Sequence, residues 1–314
     1  MQRRIRKPDG SGFTEWFKDM MFGYALLVPT FLVFAIVILY PILNGLIMSF
    51  SEYTYITVAK QKVFVWNAFA NYKTIFSSFS NLATFDKQLL NTLIFTVSTV
   101  GMELIIGMAI ALMLNSNIRG RGVLRSLFLM PWTIPSIVTA LLWGWLFQAQ
   151  FGVWNYFLHS LGIIANRNME WIQSTDWAMF TVVVATIWRQ TPYMIIMLLA
   201  ALQNVRRDLI EASYIDGANA VQAFLHVKLP GISGVLGTTI ITCIMSSFQS
   251  FTIIFNMTNG GPVDATTTMS IGAYKHAFTN MDLGAGAAVG VIWMIILIAG
   301  ISIFNVKTKR FDNI

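Results

Sequence analysis

A chain of 314 residues that is 56% hydrophobic and only 11% charged, with a mean hydropathy of +0.64, cannot cover a water-facing globule, in which about 25% of residues are charged. It reads as an all-α, polytopic membrane protein. The net charge of +7 flanks the apolar runs, so it reflects membrane topology and attraction to lipid headgroups, and nucleic-acid binding is a poor reading of it.

In chain order, residues 1–21 form a basic tail. Within it, residues 13–20, with Trp16 and Phe17 beside Lys18 and Asp19, read either as a short helix on the membrane surface or as an ordered tail. Six apolar runs follow at 22–50, 89–114, 123–147, 177–202, 231–256 and 284–305, each long enough for the roughly 20 residues a bilayer demands. They make one membrane domain, 22–306, ahead of a short tail, 307–314. The first run exceeds the core of a cleaved signal and no small-residue cleavage pattern follows, so it is expected to remain as an anchor.

Of the 21 Lys and Arg, fourteen lie on the N-terminal tail, the second and fourth connections and the C-terminal tail. Six lie on the opposite connections, and Arg189 falls inside a span. The positive-inside rule then puts both termini in the cytoplasm of a multi-pass plasma-membrane protein. The long external connection 51–88 carries Tyr53, Tyr55, Phe64, Trp66, Phe69 and Tyr72 and is expected to fold as a small cap. The connection 151–176, with Trp154, Tyr156 and Trp171, is similar. The aromatics nearest the helices read first as an interfacial belt.

Ionisable groups inside a bilayer are costly and so are functional candidates. Glu103 and Arg189 qualify. Counted at 1.5 Å per residue from the outer ends of their spans they reach similar depth and are expected to form an ion pair, with Arg189 alternatively facing a substrate. Beside Arg189, Gln190 and Tyr193 flank Pro192. In the fifth run Thr239, Thr242, Ser246, Gln249 and Ser250 follow helical spacing, between Phe248 and Phe251. Arg189, Gln190, Tyr193, Ser246, Phe248, Gln249 and Ser250 are the expected substrate path for a polar solute, because amide and hydroxyl groups hydrogen-bond its polar groups while aromatic faces pack on its apolar ones. Thr239 and Thr242 read as interhelical glue. Arg189 with Lys275 leaves room for an acidic solute, and the charge of the substrate stays open. Gly286 and Gly290 form a small-residue face for close helix packing.

The lone Cys243 makes no internal disulfide, the three histidines lie apart on separate connections, and no metal-ligand spacing occurs. No phosphate-cradling G-x-x-x-x-G-K-[ST] occurs either, so no cofactor or nucleotide site is expected on this chain.

Between the fourth and fifth runs lies a polar island, about 206–230, in which Glu211-Ala212-Ser213-Tyr214-Ile215-Asp216-Gly217 is followed by nine residues and then Val227-Lys228-Leu229-Pro230. It reads as a short helix, a turn at Gly217 and a second short helix stopped by Pro230. This spacing resembles the E-A-A-x-x-x-G-x(9)-I-x-L-P loop of permease subunits of binding-protein-dependent ABC importers. Ser213 and Val227 are the two departures. Met130-Pro131-Trp132-Thr133-Ile134-Pro135, Gly152-Val153-Trp154-Asn155 and Thr258-Asn259-Gly260-Gly261-Pro262 resemble the carbohydrate-uptake branch, of the maltose and glycerol-3-phosphate type.

The resemblance implies the type I importer permease fold and an ATPase-docking loop made of Glu211, Ala212, Ser213, Asp216, Gly217, Ala218, Leu229 and Pro230. It further implies a bacterial inner-membrane location and a heterodimer with a second homologous permease subunit. A dimer of ATP-binding cassette subunits that hold the ATP and Mg, an extracytoplasmic solute-binding protein, a sugar substrate, expected to be an oligosaccharide with an acidic sugar or sugar phosphate left open, and membrane lipid complete the expected partners. Two other classes fit less: a channel or secondary transporter explains only the spans and the polar stripe, and a membrane enzyme needs clustered acids or a nucleophile that the spans lack.

Overall fold

The computed structural model describes residues 11–53, 65–77 and 85–311. The first ten residues of the tail, the last three of the chain, and Tyr55 and Phe64 of the expected cap lie outside them. Among the described residues, five helical runs are long and apolar enough to cross a membrane, and a sixth if one sharply bent pair counts as a single span.

The first run is α1 (Ser11–Phe34), a π-turn at Ala35–Leu39 and α2 (Tyr40–Ser49). Residues 13–20 are its continuous N-terminal end, so the expected separate surface helix is not formed. The π-turn immediately precedes Pro41, and its wider ring displaces the carbonyl that the proline would strike in a regular helix. The run is exposed along its membrane length in the isolated chain. A two-stranded hairpin, β1 (Ser51–Glu52) with β2 (Val65–Trp66), and α3 (Ala70–Ser77) form a cap. Phe50 packs within 5.6 Å of the Trp66, Phe69 and Tyr72 ring centres, and Asn71 donates to the carbonyls of Ser49 and Ser51.

The centre of the fold is α4 (Phe85–Asn115) against α8 (Ala178–Asn204). Their buried faces are rich in threonine, and most of the hydroxyls bond within their own helix: Thr99 donates to Phe95 O at 2.6 Å and Thr186 to Val182 O at 2.7 Å, whereas the buried Thr96 hydroxyl has no partner among the described residues. Gly107 allows the close approach, since a Cβ there would lie 2.6 Å from Met194 Cγ.

The third apolar run is not a straight span. It is α5 (Arg121–Thr133) and α6 (Ser136–Leu146), bent by 98°. Ile134 is extended, ψ 129°, as the residue before a proline must be, and Pro135 has no N–H to continue the ladder. Beyond it, α7 (Val153–Ser160) carries Trp154, and Trp171 is buried with Phe147 while its indole N–H donates to Asn155. These tryptophans are core residues and not the expected belt.

After α8 come α9 (Arg207–Ile215), α10 (Ala220–Ala223), a π-turn at Phe224–Lys228 and α11 (Leu229–Gly231). The fifth run is also interrupted, as α12 (Ser233–Phe248) and α13 (Thr252–Thr258). A loop leads to α14 (Met269–Tyr274), a π-turn at Lys275–Thr279 and α15 (Leu283–Phe311). On α15 a Cβ at Gly286 would meet Ala277 at 2.7 Å, whereas Gly290 faces open space; the small-residue face closes within the chain at only one of its two glycines.

The loop between α13 and α14 is tied down. Gly260 (φ +79°) and Asn259 (φ +51°) reverse the chain. Lys275 donates to Asp264 Oδ1 at 2.8 Å, Asn91 to the carbonyls of Asp264 and Thr267, and Lys87 to Val263 O. Lys275 is therefore committed to the loop. Burial pushes the Asp264 carboxyl up, but the hydrogen bonds from Lys275 and Thr267 and the charges of Lys275 and Lys87 outweigh it and leave it below its ordinary 3.8.

Two outcomes follow. Gly107→Val should cost about 1–3 kcal/mol by forcing α4 off α8, while Gly101→Val, with nothing within 4 Å, should leave the thermal midpoint of the detergent-solubilised protein unchanged. A carboxyl held low in the folded state contributes stability above its unfolded pKa and loses it as pH falls through the folded value. Hydrogen exchange across residues 259–268 should therefore accelerate below about pH 4, and Asp264→Asn should produce the same protection loss at neutral pH.

Candidate functional site

Both helix breaks open onto one cleft of about 440 Å³. The bend after α5 contributes Trp132 and Ser136, α8 contributes Arg189, Gln190 and Tyr193, and α12 with the break after it contributes Thr242, Cys243, Ser246, Gln249, Ser250, Phe251, Thr252 and Ile253. Trp132 and Tyr193 lie 6.0 Å apart at their ring centres, and Phe251 stacks on Phe255 at 4.9 Å. The walls thus combine flat aromatic faces with hydroxyl and amide groups. Trp132, Thr242, Ser246 and Gln249 are exposed in the isolated chain, so one side of the cleft is open.

Each break leaves a carbonyl without its helical donor, which lipid cannot satisfy. Arg189 Nε donates to Ile134 O at 3.2 Å, and Ser270 Oγ, at the start of α14, donates to Ser250 O at 2.7 Å.

Six of the seven expected path residues line this cleft: Arg189, Gln190, Tyr193, Ser246, Gln249 and Ser250. Phe248 does not. It is buried and stacks on Trp293 of α15 at 6.2 Å, because the helix turns its side away from the polar stripe. Gln249 and Ser250 sit at the break and not inside a continuous helix. Thr239 donates to Val235 O of its own helix, and Thr242 donates to Thr238 O while facing the cleft, so neither bridges helices. Trp132, Ser136 and Thr252 were missed; the two prolines around Ile134 were the signal that the third run would bend and bring Trp132 and Ser136 inward.

The Glu103–Arg189 ion pair is not formed. Glu103 is fully buried on α4, where its carboxyl faces the weakly donating Cys243 thiol and neither oxygen makes a full hydrogen bond to a described residue. Arg189 turns the other way, to Ile134. Equal depth fixes height along a helix and leaves the direction round its axis undetermined, so two groups at one level can face opposite walls. Among the described residues the ion pairs are Arg206–Asp208 and Lys275–Asp264.

The polar island is a separate, exposed construction. Gly217, at φ +86°, ends α9: its N–H bonds Tyr214 O at 3.1 Å and the Ala218 N–H bonds Ser213 O at 2.9 Å, a Schellman closure. Asn219 and Gln222 then form a reciprocal capping box for α10. Pro230 does not stop the second helix. The π-turn at Phe224–Lys228 precedes it, the helical run passes through to Gly231, and the break falls at Ile232. Glu211, Ala212, Asp216 and Pro230 are exposed, and Ser213, Ala218 and Leu229 half-buried. Around them Leu209, Tyr214, Ile215 and Val221 stand out from the surface, Ile215 with 86% of its area accessible. Arg206 pairs with Asp208 at the start of α9 and holds that carboxyl below its usual range.

Comparison with known proteins matches this geometry. Residues 103–312 fit the family described as binding-protein-dependent transport system inner membrane component. The chain is 31% identical, over 94% of its length and 96% of the relative, to the trehalose/maltose transport system permease protein MalF of Thermococcus litoralis. It is 34% identical, over 88% and 90%, to the sn-glycerol-3-phosphate transport system permease protein UgpA of Yersinia pestis. The fold matches a chain of a bacterial ABC transporter involved in the import of the acidic polysaccharide alginate, with a TM-score of 0.80 at 20% identity over 95% of this chain and 98% of that one. The chain belongs to the family of binding-protein-dependent transport system inner membrane components.

Proposed function

We propose that this chain is the permease subunit of an ATP-driven importer and forms half of the translocation pathway for a sugar, of oligosaccharide type, delivered by an extracytoplasmic binding protein. The observation that carries this reading is the cleft itself: aromatic faces and hydroxyl or amide groups meet where two membrane helices break, with one side open for a second, related permease subunit. The relatives named for trehalose and maltose and for sn-glycerol-3-phosphate support a polyhydroxylated solute.

The exposed loop at 206–230 is the docking surface for an ATPase dimer, which binds the ATP and Mg. Its apolar side chains, Leu209, Tyr214, Ile215 and Val221, are the kind a protein partner covers. With that loop and both termini in the cytoplasm, the Lys and Arg distribution obeys the positive-inside rule.

The complex purified through this chain should contain an ATPase and a second permease; a transport-active homo-oligomer free of ATPase would overturn the assignment. Gln249→Leu and Ser250→Leu should each weaken uptake by roughly 1–3 kcal/mol in apparent transition-state binding, leaving substrate hydroxyls unpaired, with basal ATP hydrolysis retained. In the loop, Gly217→Val forces a β-branched residue to positive φ, and Glu211→Lys reverses a charge. Both should insert normally into membranes yet lose substrate-stimulated ATP hydrolysis, and wild-type stimulation in both would count against docking there.

A further inference from the structure

Resting on the proposed sugar pathway, we infer that Arg189 is a specificity-determining anion contact and that the saccharide it admits carries a negative charge. A guanidinium stays protonated in proteins, and one placed within a membrane span is costly unless paired or used. Arg189 lines the cleft, and none of the lining residues is Asp or Glu. The acid at its own depth, Glu103, is sealed behind Cys243 on another wall and does not line the space. The other charge once available for an acidic substrate, Lys275, is held by Asp264.

The guanidinium is also oriented. Its Nε–H is fixed on Ile134 O, and its four remaining N–H bonds donate to no described protein group. This leaves the terminal edge, the part suited to bidentate contact with a carboxylate or phosphate. Gln190, Ser246, Gln249 and Ser250 around it supply neutral polar groups for hydroxyls. The site is built for an anionic, hydroxylated ligand, with the guanidinium as the one charged contact offered by this chain.

The test uses the complete transporter in proteoliposomes with its binding protein unchanged. Uptake is measured for a uronate-bearing oligosaccharide and for the same oligosaccharide with its carboxyl groups reduced to alcohols. Arg189→Gln should lower uptake of the charged sugar by about thirty-fold more than uptake of the reduced sugar, the scale for removing one partner of a desolvated charge pair, on top of whatever loss both sugars share from the missing donor to Ile134 O. Arg189→Lys should keep most of the preference. Gln249→Glu, which adds a carboxylate to the cleft without touching the Ile134 bond, should abolish it even if Arg189→Gln assembles poorly.

Equal loss of both sugars in Arg189→Gln and Gln249→Glu, or a wild type that carries the reduced sugar as well as the charged one, would overturn the inference and leave the sugar pathway standing. Loss of assembly in Arg189→Gln together with an unchanged preference in Gln249→Glu would show that the guanidinium is paired across the subunit interface, which also overturns it. If wild type carries neither sugar and no saccharide stimulates ATP hydrolysis, the proposed function falls, and this inference with it.

Discussion

Two backbone carbonyls decide where this protein has a cleft. Lipid offers no hydrogen bond to a carbonyl that has lost its helical donor, so a helix breaks inside a membrane where protein or a polar cavity supplies one. Arg189 does this for Ile134 and Ser270 does it for Ser250. The first donor comes from α8 and the second from the start of α14, so each break is locked by an element other than the helix it interrupts. The polar side chains released at the two breaks then face one another across a space that a bundle of unbroken helices would have filled.

Around this space the packing is of an ordinary kind. The buried threonines of α4 and α8 other than Thr96 return their hydroxyls to their own helices, which makes them small, apolar-faced packing residues despite their polarity. Gly107 brings the two helices together at Met194. The loop between α13 and α14 is held by Lys275, Asn91 and Lys87, which in turn fixes α14 and with it the serine that satisfies Ser250. An unpaired α14 would leave the break without its donor.

The exposed loop and the cleft share their supports. Helix α8 runs from Arg189, Gln190 and Tyr193 down to Asn204, and the chain leaves the loop through α11 directly into α12, which returns to Ser246 and Gln249. From Tyr193 to the end of α8 is about 16 Å along the helix. Only the short non-helical links at Val205–Arg206 and at Ile232 separate the loop from these two helices. The Schellman closure at Gly217 and the capping box at Asn219 give the loop a fixed shape to be pushed.

The sequence by itself determined the class, the positions of the apolar runs and the exposed loop, because composition, run length and the local chemistry of glycine and capping residues act over a few neighbouring residues. It also named six of the thirteen residues that line the cleft, among them Arg189, Gln190, Gln249 and Ser250, which are polar where polarity is costly. What it left undecided was direction and continuity. Depth counting put Glu103 and Arg189 at one level and could not tell that they face different walls. No Gly or Pro marks the break at Gln249–Ser250, whose carbonyl finds its donor twenty residues later in Ser270. The proline-driven bend at Ile134 was written in the chain, but its stabilising guanidinium lies 55 residues away. These partners are distant in sequence and meet only once the helices have packed, so only the tertiary structure could assign them.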